Sequence, residues 1–166
     1  MSSTAPSKKT QRTSAREAAV QALFQISVTG ASPERVIGEF LDRPVTDTSV
    51  AHKPQFRRIV TGAAECLTEL DATIDPLLGE RWSLKRLDTT LLCVLRCAIW
   101  ELLHASRKAP ARVIIAEYLK VAYGFAEDGE IRFANALLDR VARSARVRHR
   151  HRCERGTSLE PPGPGV

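Results

Sequence analysis

Apolar residues recur at intervals of three and four along most of this chain and nowhere alternate with period two, so the sequence predicts helices and no strands. Ser14-Ala-Arg-Glu17 reads as a capping box, the hydroxyl accepting an orphan backbone N–H and the glutamate reaching back. Ala15, Ala18, Ala19, Ala22, Leu23 and Ile26 follow on one face, and this first helix should close near Gly30. Ser32-Pro33 places a capping hydroxyl before a proline at the first helical position, which starts a short helix to Leu41. Asp42 to Lys53, with Pro44 and several Ser and Thr, reads as a loop.

From Pro54, the series Phe56, Ile59, Ala63, Leu67, Leu70 and Ile74 predicts one long amphipathic helix, ended by Asp75-Pro76. Leu84 to His104 carries Leu87, Leu91, Leu92, Val94, Leu95, Ala98, Ile99, Leu102 and Leu103 around most of its circumference, the mark of a helix surrounded by others. Pro110 opens a further helix that Gly124 ends. A last one spans Glu130 to about Arg146, with Ile131, Ala134, Leu137, Leu138 and Val141 inward. Five long helices and one or two short ones make an all-α bundle, expected over residues 14–147. Residues 1–13 read as a flexible basic arm, and 148–166, arginine-rich and then proline- and glycine-rich, as a disordered tail.

Composition narrows this picture. At 166 residues and 43% hydrophobic, the chain suits one domain with one core. It has no run of about 18 apolar residues to span a membrane and no apolar block of the secretory kind near its start, so a cytoplasmic location is expected. Cys66, Cys93, Cys97 and Cys153 should then be free thiols. The net charge of +6 is unevenly placed. Residues 1–16 hold four bases and no acid, residues 140–166 hold seven arginines against Glu154 and Glu160, and the segment between holds 14 bases and 17 acids. Basic ends on a mildly acidic body suit a polyanion held by chosen elements, although such runs serve equally as solubilising tails.

Signs of catalysis are few. The glycines at 30, 38, 62, 79, 124 and 129 are isolated, so neither a phosphate-cradling loop nor a dinucleotide fingerprint is present. Cys93 and Cys97 share a helix face, but no neighbouring ligand completes a metal set, and buried thiols are the better reading. His52 and His104 have no nucleophile at motif spacing, and His149 and His151 alternate with arginines. Glu101 and Arg96, the internal charges of the central helix, read as ion-paired or rim-reaching groups rather than acid–base catalysts. No enzyme activity, cofactor or metal is expected. What remains is a binding surface: Arg16, Val20 and Phe24 follow along one flank of the first helix, and Arg132, Phe133, Arg140, Arg143 and Arg146 lie on the last. Arginines interleaved with aromatic rings hold unpaired nucleotides, although periodicity alone places such rings in the core more often.

Five segments, in order, resemble the NusB family of transcription antitermination factors. Residues Ser14 to Gln25 are similar to its "ARExAVQALY" helix, and Gln55-Phe56-Arg57 with Val60-Thr61-Gly62 to "YFRxLVxGV". Trp82 to Asp88 and then Leu95 to Leu102 resemble the central "LRxAxYEL" region; Pro110 to Ile115, Glu117 and Ala122 match the next element; and Phe133 to Ala142 resemble "FVNGVLDK". The resemblance implies about seven helices in two subbundles. It also implies that the chain binds the single-stranded boxA element of nascent ribosomal RNA together with the ribosomal protein NusE, joins RNA polymerase, suppresses premature termination and assists ribosomal RNA maturation.

Carried across by position, the implied RNA contacts fall on Arg12, Arg16, Phe24 and Phe133, with Arg132 beside the last. Glu127 and Asp128 fall near the RNA and NusE surfaces, and the central helix with its preceding turn, at Leu87, Asp88 and Leu91, falls on the NusE side. Thr13 and Ser14 interrupt the family's arginine run, Phe24 replaces a common tyrosine, Ala116 and Ala136 replace a frequent Asn and Gly, and the arginine-rich end is longer. Two rival readings remain at this point: an RNA-binding accessory module of a ribosomal RNA methyltransferase system, and a helical duplex-DNA-binding regulator.

Overall fold

Capping chemistry sets several of the helix boundaries in the structure, a computed structural model that describes residues 8–42, 52–104 and 109–155. The helices are α1 (Lys8–Thr29), α2 (Pro33–Leu41), α3 (Lys53–Glu65), α4 (Leu67–Ile74), α5 (Thr89–His104), α6 (Ala111–Ala122) and α7 (Asp128–Arg155), with one 3₁₀ turn at Asp75–Leu77. No strand occurs among the described residues. The Ser32 side chain accepts from the Arg35 N–H at 3.3 Å, with Pro33 opening α2. Gly30 ends α1 at φ 68°, a conformation that costs glycine least, its N–H bonding the Ile26 carbonyl at 2.9 Å.

Helix α5 is the axis of the fold. Leu91 to Glu101 are all buried except Arg96, and α5 packs against α1, α3, α4, α6 and α7. Helices α1, α2 and α3 pack on one another, as do α5, α6 and α7, so α5 joins the two halves through α1 and α3. Gly62 of α3 lies against Trp100 of α5 so closely that an added Cβ would fall 2.1 Å from the indole ring.

Four boundaries differ from the sequence expectation. Helix α1 begins at Lys8, six residues before Ser14, which is thus an interior residue and not a cap. Residues 8–13 hold no proline or glycine, and the Thr13 hydroxyl donates to Glu117, which fastens the extension to α6. The expected helix from Pro54 to Ile74 is broken at Cys66 (φ −111°, ψ 20°). Ala63 and Leu70 stand seven residues apart, so the apolar period runs straight through a break that periodicity does not register.

The central helix starts at Thr89 rather than Leu84, because Asp88 Oδ1 accepts from the Thr90 and Leu91 N–H groups at 2.8 and 3.1 Å and caps it there. Helix α7 starts at Asp128 and continues beyond Arg146 to Arg155, taking in residues assigned above to a disordered tail, since no helix breaker intervenes before Gly156. The expectations for residues 1–7 and 156–166, and most of the 42–53 loop, lie outside the described residues.

Candidate nucleic-acid interface

The polar centre of the molecule is a carboxylate. Glu101 of α5 is buried, and its two oxygens accept four hydrogen bonds: from Arg16 Nη2 at 2.7 Å and Nε at 3.0 Å, from Gln55 Nε2 at 3.3 Å, and from the Tyr118 hydroxyl at 2.9 Å. Four helices, α1, α3, α5 and α6, thus meet on one side chain. Arg16 is only 5% exposed, and its guanidinium also lies 5.9 Å from the centroid of the Tyr118 ring. Burial by itself disfavours the Arg16 charge, but the hydrogen bonds and charge of Glu101, aided by Tyr118 and Glu117, raise its pKa above the ordinary arginine value. Burial and then the Glu101 charge push the Tyr118 phenol well above its usual range. Beside this cluster, Glu117 accepts from Thr13 and, at 2.8 Å, from Lys120. Burial would raise the Glu117 pKa, and these bonds lower it instead. Among the described residues no buried side-chain polar atom lacks a partner.

Above this floor opens a cleft of about 310 Å³, walled by Arg12, His52, Pro54, Gln55, Arg58 and Ala109. Arg12 and Arg58 are exposed, and His52 caps α3, its Nδ1 accepting from the Gln55 N–H at 3.3 Å. On another flank of α1 lies a groove of about 410 Å³ formed by Glu17, Val20, Gln21 and Phe24, closed by Thr90 of α5 and by Val121, Gly124 and Phe125 at the end of α6. Phe24 is 36% exposed and Phe125 44%, so two aromatic rings border the groove within reach of solvent.

The residues singled out in the sequence meet different fates. Arg12 stands at the cleft rim and Phe24 at the groove. Arg16, which the resemblance placed among the RNA contacts, lies in the floor of the cleft, 5% exposed and ion-paired with Glu101. Phe133 is half-buried and stacked on Trp82 (centroids 5.1 Å apart, 18° between planes), outside both depressions, with Arg132 exposed beside it. Leu87, in the turn before α5, and Leu91, in its first turn, are core residues, 6% and 0% exposed, so their side chains pack inward. Asp88 is exposed but engaged in capping, and Glu127 and Asp128 are exposed at the entry to α7.

Arg96 forms a two-bond ion pair with Asp71, both contacts 2.8 Å, and Cys93 and Cys97 are buried free thiols. His104 stacks on Trp100. Sequence spacing does not mark Arg58, His52 or Phe125 as site residues. The one available signal is Phe125 itself, an aromatic ring directly after Gly124, in the turn that follows the end of α6 at Ala122.

A helical bundle with an exposed arginine over a fully satisfied polar floor, and an aromatic-edged groove on another flank of the same helix, has the features of a helical binding protein. The NusB family model matches residues 13–143. The transcription antitermination protein NusB of Maricaulis maris is 39% identical over 141 residues, covering 81% of this chain and 88% of the relative. This chain belongs to the NusB family. Among solved structures, T. maritima NusB superposes with a TM-score of 0.69 at 34% identity, covering 80% of this chain and 90% of that one. The antitermination factor structure of NusB and NusE in complex with double-stranded RNA shares the fold at 22% identity and a TM-score of 0.64, covering 81% and 98%.

Proposed function

We propose that this chain is a cytoplasmic, non-catalytic antitermination factor that binds single-stranded boxA RNA of nascent ribosomal transcripts together with NusE and, as part of the RNA polymerase antitermination complex, suppresses premature termination. Family membership and the relatives' activity support this reading. The observation that carries it is the pairing, on α1, of the exposed Arg12 with the exposed Phe24. Arg12 neutralises phosphate, while Phe24, with Phe125 across the groove, stacks an unpaired base; each such stack contributes about 1–3 kcal/mol. Arg132, with Phe133 fixed against Trp82, extends the contact at the start of α7, and Glu127, Asp128 and the Asp88 turn face NusE. Arg16 acts as a positioning residue.

The test is a fluorescence anisotropy titration with boxA-containing single-stranded RNA, with and without NusE, against duplex RNA and duplex DNA at matched salt. Preference for the single strand, increased by NusE, is the expected result; equal or better binding to duplex DNA overturns the reading.

A further inference from the structure

The cleft over the Arg16–Glu101 pair holds more positive charge than its floor uses. Glu101 accepts four bonds and cancels Arg16. Arg12 and Arg58 remain at the rim, and among the described residues neither has a carboxylate partner. Arg58 is nevertheless held: its guanidinium lies 5.9 Å from the centroid of the Trp100 ring. Gly62, one turn along α3, permits this arrangement by letting α3 approach the indole, since any Cβ there would strike the ring. An arginine oriented by an aromatic face keeps its full charge and its donor fork, whereas one oriented by a carboxylate does not. Pro54, in the first turn of α3, also lines the cleft, so the positive end of that helix dipole adds to the field.

We propose that Arg58 is a second backbone clamp: the RNA strand crosses the cleft between α1 and α3 with one phosphate on Arg12 and another on Arg58, above the neutral Arg16–Glu101 floor. The proposal rests on the RNA-binding reading above and adds to it a residue on a different helix. A polynucleotide fits better than a free anion, because the cleft and the Phe24 groove lie at positions 12 and 24 of α1, about 18 Å apart along the axis. A single small anion cannot reach both; a strand leaving the clamp can deliver a base to the groove.

The test is the salt dependence of boxA RNA binding by the full chain with NusE, for wild type, Arg12→Ala, Arg58→Ala, Arg58→Lys and the Arg12→Ala/Arg58→Ala double variant. Arg58→Ala is expected to weaken binding and to reduce the log–log salt slope by about 0.7, the double variant by about 1.4, and Arg58→Lys to keep the slope. Melting curves confirm that each variant is folded. If Arg58→Ala matches wild type in affinity and slope while Arg12→Ala does not, the clamp is wrong and the RNA reading stands. If wild type fails to bind at low salt, both are wrong.

Discussion

One helical turn separates Arg12 from Arg16 on α1, and the two guanidiniums end in opposite surroundings. Arg12 faces solvent at a cleft rim; Arg16 lies beneath it, locked to Glu101 with Gln55 and Tyr118 completing the shell. Residue type and helical phase do not distinguish them. What does is whether a carboxylate, itself supplied with two further donors, stands opposite. The consequence is a division of labour: the inner arginine holds four helices in register, and the outer one keeps a charge available for a ligand. Phe133 and Phe24 repeat the contrast, the first covered by Trp82 and the second open to a groove.

The largest effect should come from breaking the inner pair. Arg16→Ala leaves the Glu101 carboxylate buried without its cation and should cost about 3–5 kcal/mol in denaturant unfolding, because removing one partner of a buried pair strands the other's charge. Replacing both, Arg16→Met with Glu101→Leu, should recover most of that loss while RNA binding persists; loss of binding in a folded double variant would make Arg16 a direct contact after all. Phe24→Ala comes next, with about 1–3 kcal/mol lost from RNA affinity and little change in melting, read by paired titration and thermal scans.

A smaller effect concerns pH. Burial and Glu101 raise the Tyr118 pKa in the folded state, so the stability this group contributes is fully present below the unfolded phenol value of about 10 and falls as pH rises through the folded value. Tyr118→Phe should therefore flatten the alkaline limb of a stability–pH profile, at about 1 kcal/mol of lost hydrogen bonding at neutral pH. The smallest structural effect is that of Arg12→Ala: melting should shift within about 0.5 kcal/mol, as for exposed substitutions generally, while the salt slope of RNA binding falls by about 0.7.

Local signals carried much of this structure. Ser32-Pro33 marks the start of α2, Gly30 the end of α1, and the nearly continuous apolar surface of residues 91–101 the central position of α5. Arg96 paired as its place on that helix suggested, with Asp71. The burial of Arg16 was not legible, because its partner lies 85 residues away and Gln55 sits a further helix across; no window of neighbouring residues contains the pair. The break at Cys66 preserves the apolar period and so leaves no trace in it. Arg58 is illegible for the same reason as Arg16: its value as a free cation depends on Trp100, 42 positions on, and on the closeness that Gly62 permits.

The most direct test is one set of binding isotherms with single-stranded boxA RNA and NusE, comparing Arg12→Ala and Phe24→Ala with the apolar Arg16→Met/Glu101→Leu pair. The exposed-rim account predicts that the first two weaken binding and the third, once shown to be folded, does not. Unchanged affinity in the rim variants, or a loss confined to the interior pair, would contradict it.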